Sequence, residues 1–261
     1  MSLSIVTINY NNSQGLSRTL ASISAQLETC FEHVIIDGMS YDSSQSVINT
    51  YSDLQDRAYS VSAIIEPDAG IYDAMNKGIL NSSGQYIMFL NSGDVLSDEH
   101  VVGKILECIS ENGLLEAIYG NVLFKDDGQK VSRTWISGDY KRWKFLIGWM
   151  PPHPATIIRR DLFRQHGLFD INFKIAGDYE LMLRFFYRNK LHLKYLDDEF
   201  VEMELGGVST NGLGAIIKGN IECLQAWKAN GYLVPVWLFF TKPLLKVVQL
   251  EFVRKLIGEK N

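Results

Sequence analysis

Cysteine is scarce in this chain, and its placement is uncooperative. Cys30, Cys108 and Cys223 are odd in number, far apart and form no CxxC. That excludes a disulfide framework and a zinc site of the usual spacing, and leaves reduced thiols. Positive charge is also short, with 25 Lys and Arg against 30 Asp and Glu and a formal net charge of -5. No basic surplus exists to neutralise a nucleic-acid backbone, so no nucleic-acid partner is expected. No stretch reaches the roughly 18 consecutive apolar residues of a membrane span. The longest candidate, residues 232–240, is short and contains Pro235. No basic segment with an apolar core and a cleavage site opens the chain. The expectation is a cytoplasmic protein, soluble or peripheral at the inner face of the cell membrane. Finally, there is no GxGxxG after the first strand-like run and no GxxxxGK[ST] anywhere. The glycine loops that bring backbone amides to phosphates in dinucleotide folds and P-loops are therefore absent.

What is present is apolar content sufficient for one sizeable core, 46% of 261 residues. The first half alternates strand-like runs (3–9, 33–37, 61–65, 86–90) with helix-like ones (14–27, 42–53, 71–80). This order predicts an α/β fold with a mostly parallel sheet covered by helices on both faces, all strand C-termini on one edge. The second half is less regular. Strands are expected at 116–124, 130–135, 155–158, 191–195 and 199–204, with a turn at Asp126-Asp127-Gly128. Helices are expected at 140–147 and 178–188, and Met150-Pro151-Pro152-His153-Pro154 must be an irregular loop. The expected organisation is a domain over 1–210, in halves 1–97 and 98–210, followed by a C-terminal helical appendage over 211–261.

The densest signal is Gly84-Gln85-Tyr86-Ile87-Met88-Phe89-Leu90-Asn91-Ser92-Gly93-Asp94. A buried strand runs into a polar turn that ends on a carboxylate. Ligands of open α/β sheets sit at the carboxyl ends of strands. A carboxylate there can hold a divalent cation, which can hold a diphosphate. Asp94 is thus the candidate metal ligand. Three other strand ends are polar: Thr7-Ile8-Asn9-Tyr10-Asn11-Asn12, Asp37-Gly38-Met39-Ser40 and Glu66-Pro67-Asp68-Ala69-Gly70. One such end is ordinary turn chemistry. Four on one edge describe a crevice.

The runs Ser4-Ile5-Val6-Thr7-Ile8-Asn9-Tyr10-Asn11, Asp37-Gly38-Met39-Ser40-Tyr41-Asp42-Ser43-Ser44, Glu66-Pro67-Asp68-Ala69-Gly70-Ile71-Tyr72-Asp73-Ala74-Met75-Asn76-Lys77-Gly78 and Asn91-Ser92-Gly93-Asp94 stand in an order that resembles family 2 glycosyltransferases. The likeness is to the GT-A fold in its bacterial polysaccharide and O-antigen branch. It extends from Ser4 to about Leu205. It implies an inverting transferase using a UDP-sugar and Mn²⁺ or Mg²⁺. Thr7, Asn9 and Tyr10 would border the base, and Asp37 would accept from a uracil N–H. Glu66 and Asp68 would line the nucleotide-sugar pocket, with Gly70 allowing close approach. Asn76 and Lys77 would open to the same crevice, Lys77 either toward a phosphate or as an exposed helix lysine. Asp42 would lie near the ribose or cap a helix. In this family the turn after the fourth strand carries a DxD motif. Here Asn91 and Gly93 replace the acids, leaving Asp94. Asn91 would contact ribose or a metal-bound water, with Ser92 beside it.

The second half must supply the acceptor side. Within Gly177-Asp178-Tyr179-Glu180, Asp178 begins a helix and is either an N-cap or, as the resemblance implies, the general base. Glu180 is the runner-up, otherwise a solvated helix residue. His153 would face the diphosphate or the acceptor, or cap its loop. Trp135, Trp143 and Trp149 are candidates for stacking on sugar rings or for the core. The implied reaction moves a hexose or N-acetylhexosamine to a hydroxyl of a saccharide acceptor, expected to be lipid-diphosphate-linked. Apolar residues interspersed with Lys242, Lys246, Arg254 and Lys255 fit an interfacial helix, or one packed on the domain. Two other readings compete: a non-catalytic nucleotide-sugar-binding or scaffold subunit, and a sugar nucleotidyltransferase. The latter would want a glycine-rich basic loop where Asn9-Tyr10-Asn11-Asn12 stands.

Overall fold

Seven consecutive buried residues make Leu3–Asn9 (β1) a central strand. In the computed structural model it lies between β2 (Phe31–Asp37) and β4 (Tyr86–Phe89), parallel to both, and β3 (Ser60–Ile65) adds in parallel beyond β2. The structure describes residues 2–54, 58–113, 115–126, 130–204, 213–238, 241 and 244. Helices α1 (Ser13–Ser24), α2 (Ser44–Ser52) and α3 (Ile71–Asn81) make the connections.

Strand alternation divides the core. Leu3, Ile5, Tyr86 and Met88 pack with Val101, Ile105 and Ile109 of α4 (Val101–Asn112). Val6, Ile8, Ile87 and Phe89 pack with Tyr72, Met75 and Ile79 of α3. Each such side chain contributes about 1.5–3 kcal/mol of burial. α3 sits close because residue 78 is glycine: a Cβ there would lie 2.3 Å from Val6 Cγ1.

The sheet is mixed: β3, β2, β1 and β4 are mutually parallel, while later strands of both directions extend it. Its order is β3-β2-β1-β4-β8-β6-β9-β5, with β7 on β6. β8 (Thr156–Arg159) runs antiparallel to both β4 and β6 (Ala117–Lys125). The cause is where the chain enters: the loop before β8 lies at the edge where β4 ends, so the strand must run back. β7 (Val131–Trp135) pairs antiparallel with β6. β9 (Leu193–Glu204) runs parallel to β6, and β5 (Val95–Leu96) antiparallel to β9. The two strands expected at 191–195 and 199–204 are this one strand, with register shifts opposite Tyr119, Asn121 and Val122.

Elsewhere, 140–147 becomes a 3₁₀ helix, Arg142–Ile147, closed by Gly148 at φ 91°. α4 and α5 (Asp161–His166) are helices beyond those expected. The helix expected at 178–188 is α6 (Gly177–Met182) continued by a π-helical turn, Leu183–Arg188. α7 (Leu213–Ala229) packs on the domain. Its Cys223, Ala226 and Trp227 are buried in the same core as Tyr179 and Phe145, and Trp227 Nε1 donates to Tyr179 Oη at 3.0 Å. Among the described residues no helix is long and apolar enough to cross a membrane. Lys242, Lys246, Arg254, Lys255 and part of the 126–128 turn lie outside the described residues.

Candidate active site

The ends of β1 and β2 are tied by short hydrogen bonds. Asn9 Nδ2 donates to Asp37 Oδ2 at 2.7 Å. Ser40 gives its backbone N–H to Asp37 Oδ1 and its hydroxyl to Asp37 Oδ2, both at 2.7 Å. Asp37 is fully buried. Three of its four lone-pair directions are occupied, so here it organises the turn rather than facing an open crevice. Thr7 is buried too, and its hydroxyl meets His33 Nε2 at 2.9 Å. It therefore belongs to the packing of β1 on β2 and not to the rim, where it was expected. Tyr10 does stand at the rim, 62% exposed, edge-on to Tyr41. Asp42 accepts from the first amides of both α1 and α2, Ser13 N and Ser44 N, each at 2.9 Å. The Ser44 side chain, ahead of the Ser44 and Ser13 amides, leads in holding its carboxyl down at about 2. Capping is its visible work.

Gly38 is the point where these loops converge. A Cβ there would lie 2.5 Å from Asp68 Oδ2 and 3.1 Å from Tyr10 Cδ2. Asp68 Oδ1 accepts from Gly70 N at 2.9 Å. Gly70 has φ 122°, which favours glycine, and the space above it is open. Glu66 pairs with Lys77 Nζ at 2.8 Å, and Lys77 also donates to Pro67 O at 2.6 Å. The Glu66 contact leads the causes that raise the Lys77 ammonium above its usual range. Asn76 corrects another expectation. Its amide gives Nδ2 to Phe169 O and accepts Phe169 N at Oδ1, both at 2.9 Å, so it clasps a loop instead of opening to the crevice.

The turn after β4 is pinned from α1. Thr19 Oγ1 donates to Asp94 O at 2.7 Å and accepts Gly93 N at 3.0 Å. Asn12 Nδ2 donates to Ser92 O at 3.0 Å. Gly93 takes φ 106°. Asp94 ends buried, with Oδ2 unpartnered. Burial foremost, then Glu204, push its carboxyl up to about 7. Glu204 itself pairs with Arg18 at 2.8 Å. Asn91 Oδ1 is likewise buried without a partner.

Asp178 lies half-buried near the start of α6 and accepts from Tyr179 N at 2.8 Å. Tyr72 Oη lies 3.4 Å from Asp178 Oδ1 and donates to Ile175 O at 2.8 Å. Gly177 makes room for the Tyr72 ring, which a Cβ would meet at 2.7 Å. Between Asp178 and β4 stands an aromatic wall. Tyr72 stacks on Phe169 at 5.6 Å, and His153 stacks on Phe89 at 5.2 Å and meets Phe169 edge-on. His153 is 5% exposed with Nε2 unpartnered. Burial lowers its pKa, opposed by the Asp178 charge, so the ring is neutral near pH 7. Glu180 is not solvated as expected: Arg184 forks onto it at 3.0 and 2.9 Å, and Asn230 adds a third bond. Trp149 is half-buried, donating to Ser137 O at 3.1 Å, while Trp143 is 55% exposed. Trp135 packs against the core.

Eight buried side-chain polar atoms among the described residues lack partners, and four lie at this one edge: Asn9 Oδ1, Asn91 Oδ1, Asp94 Oδ2 and His153 Nε2. Buried polar groups are ordinarily satisfied, so such a concentration marks where a polar ligand would complete the structure. Asn91 and Asp94 offer hard oxygens of the kind Mg²⁺ or Mn²⁺ takes. Among the described residues no group of three or more His, Cys, Asp or Glu could hold a metal, so any ion would need ligand or water oxygens as well. Sequence reasoning overlooked Thr19, Tyr72 and Glu204. Tyr72 stood inside a motif already singled out; the other two carried no local signal.

An uncharacterized glycosyltransferase of Mycobacterium tuberculosis is 36% identical over 185 residues, 70% of this chain and 68% of its own. A PGL/p-HBAD biosynthesis glycosyltransferase of the same species is 26% identical over 207 residues, 79% of this chain and 78% of its own. The crystal structure of Staphylococcus aureus TarS 1–349 in complex with UDP-GlcNAc superposes with a TM-score of 0.66 at 15% identity, over 97% of this chain and 71% of that one. Against another structure of the same fragment the chain spans 60% of that chain's length. The fold is thus of the GT-A type. Residues 4–167 match the glycosyl transferase family 2 description. This chain belongs to that family and is a glycosyltransferase.

Proposed function

We propose that this enzyme moves a hexose or N-acetylhexosamine from a UDP-sugar to a hydroxyl of a saccharide acceptor, lipid-diphosphate-linked, in bacterial surface polysaccharide synthesis of the O-antigen type. The observation that carries this reading is the group of four unpartnered buried atoms at the ends of β1 and β4 and before β8. The UDP-GlcNAc bound by the TarS fragment supports a UDP-sugar donor. Tyr10 stacks on the base, and Asp37 holds the turn beneath it. Asp68 and the open backbone at Gly70 border the sugar. Asp94, with Asn91, would hold Mg²⁺ or Mn²⁺, which neutralises charge on the diphosphate.

The residues of the chain do the rest. Asp178 accepts the proton of the acceptor hydroxyl as its oxygen bonds to C1. The bond from C1 to the phosphate oxygen breaks, and UDP leaves with the electron pair. A single displacement inverts the anomeric centre. Neutral His153 donates a hydrogen bond through Nε2, and the aromatic wall excludes water between the two carboxylates. The exposed Leu233, Val236 and Trp237 beyond α7 support peripheral contact with the inner membrane face.

The test measures UDP release from UDP-glucose, UDP-galactose and UDP-GlcNAc, with Mn²⁺ and a prenyl-diphosphate-linked monosaccharide. Wild type is compared with Asp178→Asn and Asp94→Asn. Turnover lost in both variants, with UDP binding kept in Asp178→Asn, is expected. Wild-type turnover in Asp178→Asn would remove the base. UDP binding that ignores EDTA would remove the metal.

A further inference from the structure

The segment leading to Asp178 is gripped from a helix that lies far along the chain. Glu222 of α7 is 6% exposed. Its carboxylate accepts three consecutive backbone amides: Lys174 N at 3.1 and 3.2 Å, Ile175 N at 2.8 Å and Ala176 N at 2.8 Å. Ala176 is the last residue before α6, and its carbonyl takes Glu180 N at 3.0 Å, closing the turn that carries Asp178. The opposite side of the same peptide is held by α3, because Ile175 O accepts Tyr72 Oη at 2.8 Å. Gly219 lets α7 come this close: a Cβ there would already stand 3.1 Å from Ile175 Cγ2.

A buried carboxylate is costly unless hydrogen-bonded, and bonds to an ionised acceptor are the strong ones. Three amides converging on one carboxylate therefore fix the backbone of 174–176 more firmly than a neutral partner would. Glu222 has no bond to Asp178 and offers nothing to a reacting atom. Resting on the assignment of Asp178 as base, we propose that Glu222 is a positioning residue: it sets the direction in which Asp178 meets the acceptor hydroxyl by fixing the three residues before α6. Gln at this position keeps the shape, but its NH₂ would confront backbone N–H groups and its one oxygen would accept from them without charge.

The experiment compares wild type with Glu222→Gln, Asp178→Asn and the double variant. It reads amide hydrogen exchange at 174–176, Tm, and kcat and KM on the most active of the three UDP-hexoses. Exchange at 174–176 in Glu222→Gln is expected to rise about tenfold or more, with Tm within about 4 °C of wild type. kcat should fall roughly 10- to 100-fold with donor KM unchanged, as for a misplaced catalytic group. The double variant should be no slower than Asp178→Asn alone. Normal exchange and turnover in Glu222→Gln beside an inactive Asp178→Asn overturns the positioning role by itself. Losses that multiply in the double variant overturn it as well. Full turnover in Asp178→Asn overturns the base and the positioning role together, whatever the exchange shows. If Glu222→Gln does not fold, Gly219→Ala, which pushes on Ile175, must lower kcat with donor KM kept, and unchanged kcat there overturns the proposal.

Discussion

Tyr72, on the first turn of α3, and Asp178, near the start of α6, are 106 positions apart, yet the phenol oxygen of one lies 3.4 Å from a carboxylate oxygen of the other. The same hydroxyl donates to Ile175 O at 2.8 Å. The motif that begins at Glu66 thus reaches across to the proposed base. Tyr72→Phe keeps the ring on Phe169 and removes both polar contacts. A stability loss of about 1 kcal/mol is expected, with kcat down about tenfold and donor KM steady. Denaturant unfolding and steady-state kinetics read the two effects. A rise in donor KM at constant kcat would place Tyr72 on the donor side instead.

Asp94 makes a prediction in pH. Its carboxyl is raised from 3.8 to about 7 by burial and by Glu204. A folded-state pKa above the unfolded one means stability is fully present below about pH 4 and lost as pH rises through 7. The loss is on the order of 4 kcal/mol at about 1.4 kcal/mol per unit. Wild type without metal should therefore melt lower at pH 8 than at pH 5 by more than Asp94→Asn does. Adding Mg²⁺ at pH 8 should restore the wild type and leave the variant unmoved. Parallel pH curves for the two proteins would contradict the raised pKa.

Gly38→Ala separates donor binding from folding. The new Cβ meets the end of the Asp68 side chain at 2.5 Å, which can swing away. Stability should change by less than about 1 kcal/mol. UDP affinity, measured by calorimetry, should fall several-fold because Asp68 and Tyr10 are spread apart. Unaltered affinity would mean Asp68 is not part of the donor pocket.

Gly78→Ala is the opposite case. Its Cβ would lie 2.3 Å from Val6 Cγ1 in the core of the central strand. Neither β1 nor α3 can yield cheaply, so a loss of about 1–3 kcal/mol is expected by chemical denaturation. A variant as stable as wild type would show that α3 can slide on the sheet.

Asn76→Ala tests the clasp on Phe169. Losing two bonds to backbone should lower stability by about 1–3 kcal/mol. UDP affinity should stay within twofold, which a donor-contacting residue would not allow.

The first half of the fold was readable because each strand there is one apolar run with a polar end. β1, β2 and β4 carry almost wholly buried side chains, the signature of strands covered on both faces. The second half was not, because direction and pairing are set by where the chain enters the sheet. Nothing in Thr156-Ile157-Ile158-Arg159 tells that it runs antiparallel between β4 and β6. α4 went unrecognised although Val101, Val102, Ile105 and Ile109 have helical spacing and are all buried. At the site, residue types and strand ends suggest a crevice, while partners decide what each side chain does. Asn76 and Thr7 look like pocket residues in sequence, but an amide and a hydroxyl satisfied by Phe169 and His33 are structural. Glu222 was invisible, since its value lies in three amides that stand 46 to 48 positions away.

Thr19 and Asn12 reach the turn after β4 from α1, and this has a thermodynamic consequence for the donor. A loop that closed only over its ligand would charge its ordering entropy to binding, roughly 1–2 kcal/mol per residue. The turn holding Asn91 and Asp94 is instead fixed as soon as α1 docks, with the Thr19 hydroxyl bonded to Asp94 O and Gly93 N. Its order is settled at folding. At the proposed site the affinity of a diphosphate would then be left to charge and contact, and should show little of the heat-capacity signature of coupled folding.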